Sequence, residues 1–325
     1  MVTKDLSQHL DVVIEVSNET YQEELTSLFK SCSLNPIVLK DVTAEMIITD
    51  LARRNSRRAI YVTDNIDEVK LRRNKDNIAF PIDNILIVDE KSKDRVNDSP
   101  ALVLFNHVLS CNTANVPNSQ ILGTVRKIRE RDFFGVDKCV GYGAHVHRFT
   151  LGASDQRQWF RDSLFGFVKS LTNVINRPMD SYAQFAVEIQ EELLMNAIWD
   201  ANPRRRTSNR KESTTLLPHE VVQVEWCFDG DVLAVGVRDP FGTFEPAVIY
   251  KYLKFLFSAD KKSMIRLQQE GNGAGLGLFM VLERLSTLVI TVAPNQSTEV
   301  IALLHLGTSP RAFSKRQKSF QYFCV

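Results

Sequence analysis

The stretch Gly271-Asn272-Gly273-Ala274-Gly275-Leu276-Gly277-Leu278 is the most distinctive segment of this 325-residue chain. Its glycines stand at alternate positions, where the missing Cβ lets the backbone adopt positive φ and approach a ligand closely. The apolar segment 279–285 follows directly and predicts a helix start, whose unpaired N–H groups and dipole favour phosphate. A phosphate-binding loop is therefore one interpretation of the stretch, and a glycine turn that serves packing alone is the other.

The composition narrows the class of protein. Hydrophobic residues make up 44% of the chain and charged residues 24%, which is typical of a soluble globular protein. The length predicts two domains. Forty Lys and Arg against 39 Asp and Glu give a net charge of +1, so no overall field favours nucleic acid or an anionic membrane.

The cysteines and the apolar runs indicate the compartment. The five cysteines show no CxxC or Cys/His metal spacing, which predicts free thiols in a reducing environment. No charged-then-apolar signal sequence opens the chain, and no apolar run approaches the roughly 18 residues that a membrane span needs. We therefore expect a cytoplasmic protein without membrane contact.

The first part of the chain alternates β-branched runs with helical patterns. Such alternation predicts a small α/β domain with a parallel sheet over residues 1–130, followed by a linker at 131–153. The predicted strands are 11–16, 36–40, 59–63 and 85–88, and the predicted helices are 21–32, 44–54 and 121–131.

This domain resembles the receiver domains of two-component signalling. Their phosphorylation site needs paired acids after the first strand and an aspartate after the third. Here Asp64 follows the third strand, but Ser17, Asn18 and Glu19 follow the first, so Mg²⁺ would be poorly held. The resemblance implies a degenerate, flavodoxin-like receiver domain, and an unrelated α/β module is the alternative.

A helix predicted over residues 180–201 carries an unusual polar face. Glu188, Glu192, Asn196 and Asp200 stand four residues apart and share one side of the helix. Carboxylate and amide oxygens on successive turns favour a hard cation such as Mg²⁺. A solvated helix face is the other interpretation.

The residues that follow predict strands and turns in a specific order. Two β runs meet at Asp229-Gly230, a strong hairpin signal, and the second run ends in Asp239-Pro240-Phe241-Gly242. An acid at a strand end is thus followed by a flexible turn. The β runs are 221–228 and 231–238, and two closing strands are predicted at 288–292 and 299–306.

Together these motifs resemble the GHKL family, the Bergerat-fold ATPases of histidine kinases, anti-sigma-factor kinases, DNA gyrase B subunits and heat-shock chaperones. Glu192-Leu193-Leu194-Met195-Asn196 resembles the N-box, residues 239–242 resemble the G1 box, and residues 271–278 resemble the G2 box. Each motif is weak alone, and their order gives them weight. The resemblance implies a Bergerat-type ATPase domain over residues 154–307, with a mixed sheet covered by helices.

The resemblance also implies a nucleotide site that binds ATP or ADP with Mg²⁺. Asn196 would bind Mg²⁺, with Glu192 as a second candidate ligand, and Glu192 would be the catalytic base. Asp239 would accept a hydrogen bond from the adenine amino group, and residues 244–270 would form the lid. The further cofactor-binding residues would be Asp200, Gly242, Gly271, Gly273, Gly275, Leu276 and Gly277.

Two departures from the family pattern limit the function. Phe241 stands where the G1 box usually has glycine, which would reshape the adenine side of the pocket. The predicted helix 154–176 contains no histidine, so autophosphorylation in cis is not expected. The resemblance then implies a Mg-ATP-dependent kinase or ATPase acting on a protein partner of the anti-sigma or response-regulator type. The alternative is an ATP-sensing switch that regulates its partner by binding alone.

Three further segments bear on partners. The apolar stripe of the helix 154–176 docks on its own domain or forms a homodimer. The loop 204–211 and the basic-aromatic tail 308–325 are positively charged, and either could meet an acidic protein surface or nucleic acid. Solvent-exposed segments without a partner are the alternative for both.

Overall fold

A computed structural model of the chain describes two compact units, which divide between Asp132 and Phe133. Both contain helices and strands, which confirms the α/β class. Among the described residues, no helix is both long enough and apolar enough to cross a bilayer. The described residues are 10–39, 51, 58–66, 81–89, 96, 99–111, 118–206, 208–210, 212–245, 247, 281–307, 309 and 318–325.

The N-terminal unit contains a parallel sheet in the order β2-β1-β3-β4-β5. This is one of the two common strand orders of doubly wound α/β sheets. The predicted parallel sheet is confirmed, although β5 was not predicted, and the predicted helix 44–54 lies almost entirely outside the described residues. The strands are β1 (Leu10–Glu15), β2 (Pro36–Val38), β3 (Arg58–Thr63), β4 (Ile82–Val88) and β5 (His107–Ser110), with helices α1 (Glu19–Ser31) and α2 (Asn118–Glu130).

Local chemistry explains where α1 begins. The Asn18 side chain caps the helix by accepting a hydrogen bond from the Tyr21 N–H at 3.2 Å. Tyr21, Leu25 and Phe29 are spaced at helical intervals and are all buried. The sequence pattern of α1 therefore produces both its start and its packing face.

The C-terminal unit contains a mixed sheet in the order β11-β9-β10-β8-β7-β6. Neighbouring strands from β9 to β6 are antiparallel, whereas β11 runs parallel to β9. The strands are β6 (Val146–Leu151), β7 (Val222–Phe228), β8 (Val232–Asp239), β9 (Thr287–Ala293), β10 (Ser297–His305) and β11 (Ser319–Cys324). The helices are α3 (Arg157–Ser170), α4 (Thr172–Ile175) and α5 (Asp180–Met195).

Helix α5 is the central helix of this unit. It packs against α3 and against strands β8 and β10. Its buried side chains are mostly apolar, which explains why the helix keeps one fixed orientation on the sheet. The polar residues of its opposite side are thereby held at the surface of the unit.

Two sequence predictions about the ends of this unit differ from the structure. The segment 131–153 is more than a linker, because it contains a 3₁₀ turn at Val136–Lys138 and then β6 at the edge of the sheet. The tail 308–325 contains β11, whose aromatic residues Phe320 and Phe323 are buried. The basic residues before β11 had obscured its strand pattern.

Candidate functional site

The end of α5 has an irregular geometry at the predicted N-box. From Asn196 to Asp200 the helix forms a π turn, and the Ala201 N–H donates to the Asn196 carbonyl at 2.8 Å, five residues back. Such π turns inside α-helices occur often at functional sites. The wider turn changes the angle between Asn196 and Asp200, so the regular spacing of the predicted polar face ends at Asn196.

Glu192 lies one turn before Asn196 and is half-buried. Burial raises the pKa of its carboxyl group, and the charges of Glu191 and Asp200 raise it further, while Arg210 acts in the opposite direction. A carboxylate with a raised pKa is a better proton acceptor near neutral pH. The electrostatic surroundings of Glu192 therefore suit a general base.

Glu188, the first residue of the predicted polar face, binds the segment that follows the glycine stretch. Its carboxylate forms an ion pair with Arg284, whose guanidinium also lies 5.1 Å from the centre of the Phe185 ring. A cavity of about 130 Å³ lies at this junction. It is lined by Arg161, Glu188, Ile189, Glu191, Glu192, Val281 and Arg284.

Asp239 ends strand β8 and is 6% exposed. Its Oδ1 accepts a hydrogen bond from the Phe241 N–H at 2.9 Å, and the backbone N–H groups of Gly242 and Thr298 also donate to the carboxylate. Burial outweighs these donors and raises its pKa to about 6. The charge of Arg238 also lowers the pKa, but by less than burial raises it. A buried acid whose pKa is raised in this way is a candidate for a binding role.

The turn after Asp239 requires glycine at position 242. Its φ is +63°, and a Cβ built there would lie 2.2 Å from the Ala293 carbonyl oxygen. Beyond it, the Thr243 hydroxyl donates to the Ala201 carbonyl at 2.9 Å. This bond links the turn after β8 directly to the end of the π turn of α5.

The structure thus places some of the predicted site residues together and leaves others undescribed. Glu192 lies in α5 and Asn196 in the π turn that follows it. The Asp239–Thr243 turn is bonded to the end of that π turn. Asp200 forms an ion pair with Arg210. Gly271, Gly273, Gly275, Leu276 and Gly277, and almost all of the predicted lid 244–270, lie outside the described residues.

The metal prediction depends on Asn196. Within the described ranges, no group of three or more His, Cys, Asp and Glu side chains is arranged to bind a metal ion. Mg²⁺ beside nucleotides commonly uses only one or two protein ligands, with water and phosphate oxygens supplying the rest. The Asn196 side chain makes no hydrogen bond with the described part of the chain, so its amide oxygen suits that role.

The predicted receiver site of the N-terminal unit has a different chemistry. Asp64 follows β3 and its carboxylate accepts hydrogen bonds from the Ser17 N–H and hydroxyl at 2.9 to 3.1 Å. Ser17 follows β1, where a receiver domain would need an acid. The Asp64 carboxylate is therefore engaged by hydrogen-bond donors from the end of the neighbouring strand.

One buried charge near the end of α5 was not predicted from the sequence. Glu220 is 2% exposed and accepts hydrogen bonds from Asn202, Arg205 and the Leu217 N–H. Burial acts to raise its pKa, but these donors lower it to about 2. Glu220 lies in a polar loop before β7, where the sequence offers no periodic pattern that would mark it as buried.

Comparison with known proteins adds no family assignment. No protein-family model matches the chain, and no curated protein is significantly similar to it. The functional conclusions therefore depend on the residues and geometry described above.

Proposed function

We propose that the chain is a cytoplasmic ATP-binding signalling protein whose C-terminal unit is a Bergerat-type, GHKL-like domain. It would act on a protein partner of the anti-sigma or response-regulator type as a Mg-ATP-dependent kinase or ATPase. The N-terminal unit, with its flavodoxin-like strand order, would be a degenerate receiver-like regulator. Because Asp64 is bonded to Ser17, which stands where a receiver domain would have an acid, we propose that this unit regulates by docking a partner instead of by phosphorylation.

One observation supports this proposal most strongly: the turn after Asp239 and the described segment that follows the glycine stretch both contact the helix that carries Glu192 and Asn196. The turn after Asp239 is bonded to Ala201 at the C-terminal end of the helix, through Thr243. The segment that follows the glycine stretch is bonded to Glu188, through Arg284. Glu192 and Asn196 lie between these two contacts, which is the arrangement that a nucleotide held by all three segments requires.

Each residue would have a distinct part in binding and chemistry. The Asp239 carboxylate would accept a hydrogen bond from the adenine amino group, in a pocket where burial excludes competing water. The amides of the glycine stretch would bind the phosphates. Asn196 would hold Mg²⁺, which neutralises phosphate charge when bound. Glu192 would accept the proton of the attacking water or partner hydroxyl.

The alternative is an ATP-sensing switch without phosphoryl transfer. Phe241 supports it, because a bulky side chain replaces a small residue beside the predicted adenine pocket. Ser17 also supports it, because it donates to the Asp64 carboxylate from the place where a receiver domain would have an acid.

The homodimer through the helix predicted at 154–176 stays a proposal under either function. In this helix, Trp159 is 52% exposed, while Phe160 is buried within the unit.

Labelled ATP separates the two functions. We expect incubation with γ-labelled ATP and Mg²⁺ to give label on a protein or steady release of labelled phosphate, above the level of a Glu192→Gln control. Tight ATP binding without label transfer or release would instead establish the sensing switch. Absence of ATP binding would contradict both.

A further inference from the structure

An arginine-rich loop, described at residues 202–206 and 208–210, folds back onto the end of α5. The Arg206 Nε donates to the Asp200 carbonyl at 2.9 Å, and the Arg210 guanidinium forms an ion pair with the Asp200 carboxylate. Asp200 lies one turn beyond Asn196. The loop therefore brings positive charge to the same end of the helix as the proposed Mg²⁺ ligand.

The base of this loop is fixed by the buried Glu220. Asn202 donates to the Glu220 carboxylate at 2.9 Å and Arg205 at 2.7 Å. The Asn202 side chain also accepts from the Arg204 N–H at 3.0 Å. Because a buried charge without its partners would be very unfavourable, these bonds hold the loop in place and commit Arg205 to a structural role.

The ion pairs around α5 differ in exposure. Arg157 with Glu191 and Arg284 with Glu188 are partly buried, with side chains 23% to 36% exposed. The Arg210 and Asp200 side chains are 41% and 43% exposed. Exposed ion pairs contribute little to stability, so Arg210 can exchange its partner at small cost.

Phosphate is the ligand best suited to replace the Asp200 carboxylate as the partner of Arg210. A guanidinium presents paired N–H donors in a planar fork, which matches two oxygens of a phosphate as well as it matches a carboxylate. The face of α5 is rich in carboxylates, and a triphosphate bound beside Asn196 would add further negative charge. Cations near that position are therefore needed to offset the repulsion.

We propose that Arg210 is a phosphate-binding residue, which exchanges the Asp200 carboxylate for the β- and γ-phosphate oxygens of ATP bound beside Asn196. This inference rests on the proposed ATP site and extends it. It gives the arginine-rich loop a function in distinguishing nucleotides by the length of their phosphate chain. Arg205, fixed on Glu220, takes no part in that contact.

The test compares Arg210→Gln with Arg204→Gln. Arg204 belongs to the same loop and is exposed, so its replacement removes the same charge without the contact to Asp200. We expect Arg210→Gln to weaken Mg-ATP binding about tenfold or more, as loss of a charge-assisted hydrogen bond does. AMP affinity should be unchanged, and Arg204→Gln should bind ATP within about twofold of wild type. Calorimetric titration measures each affinity.

The controls keep the inference distinct from the proposed function. Unchanged melting temperatures show that both variants are folded, and Arg210→Lys, which keeps the charge but loses the fork, should bind ATP with intermediate affinity. If Arg210→Gln binds ATP as wild type does, the inference is wrong while the ATP site stands. Equal losses in both loop variants would also overturn it, because general charge would then explain the effect. A wild-type protein that binds no ATP would overturn the inference and the proposed function together.

Discussion

Replacement of Glu192 by Gln is expected to leave Mg-ATP affinity unchanged and to lower phosphate release or transfer about 10²- to 10⁴-fold, the usual contribution of a general base. Glutamine keeps the size and polarity of the side chain but cannot accept the proton. Because the pKa of Glu192 is raised by burial and by Glu191, the wild-type rate should fall as the pH is lowered through a value above the ordinary 4.5.

The measurement is steady-state phosphate release beside equilibrium ATP binding. Glu188→Gln is the matched control, because Glu188 lies one turn earlier and its charge is already neutralised by Arg284. That variant should lose some stability through Arg284 but keep its turnover. Wild-type rates for Glu192→Gln would show that Glu192 is not the base.

Replacement of Asp239 by Asn should abolish ATP binding while stabilising the protein without nucleotide. The Asp239 carboxylate faces backbone N–H donors from Phe241, Gly242 and Thr298. The single oxygen of an asparagine would be occupied by those donors, so its NH₂ group would face the adenine amino group, donor against donor. The variant also removes a buried negative charge, and this removal is why we expect the protein without nucleotide to become more stable.

The stability gain of this variant has a definite pH dependence. Burial raises the pKa of Asp239 from 3.8 to about 6, so the folded state binds its proton more tightly than the unfolded state. The stability contributed by that proton is present below pH 3.8 and is lost as the pH rises through 6. Roughly two pKa units correspond to about 3 kcal/mol, an upper value for the gain of Asp239→Asn above pH 7.

Denaturant unfolding at pH 5 and pH 8 measures this gain. The difference in unfolding free energy between Asp239→Asn and wild type should be larger at pH 8 than at pH 5. The same samples show ATP affinity by titration. A variant that is less stable than wild type at pH 8 would mean that the Asp239 carboxylate stabilises the fold. Retained ATP affinity would mean that Asp239 does not bind adenine.

Periodicity predicted most of the described secondary structure. Runs such as Val232–Asp239 and Thr287–Ala293 are rich in apolar and β-branched residues, so the local pattern suffices to find them. The strand β5 was missed because it is short and contains His107. The strand β11 was missed because a basic segment precedes it and its aromatic residues resemble a binding tail until the parallel pairing with β9 is known.

The candidate site was predicted as a set of residues but not as a geometry. Spacing identified Glu192 and Asn196, yet the π turn at Asn196–Asp200 depends on packing that no local pattern encodes. The bonds Thr243 to Ala201 and Arg284 to Glu188 join residues 42 and 96 positions apart in the chain. Such contacts, like the burial of Glu220, arise only when the elements fold together.

Calorimetric titration of the wild-type protein and of Asn196→Ala with ATP, with and without Mg²⁺, tests the assignment of the nucleotide site most directly. We expect wild type to bind ATP, Mg²⁺ to strengthen the binding, and Asn196→Ala, which removes the amide oxygen, to abolish Mg-ATP binding or nearly so. Affinity that is unchanged by Mg²⁺ and unchanged by Asn196→Ala would contradict the assignment of the site.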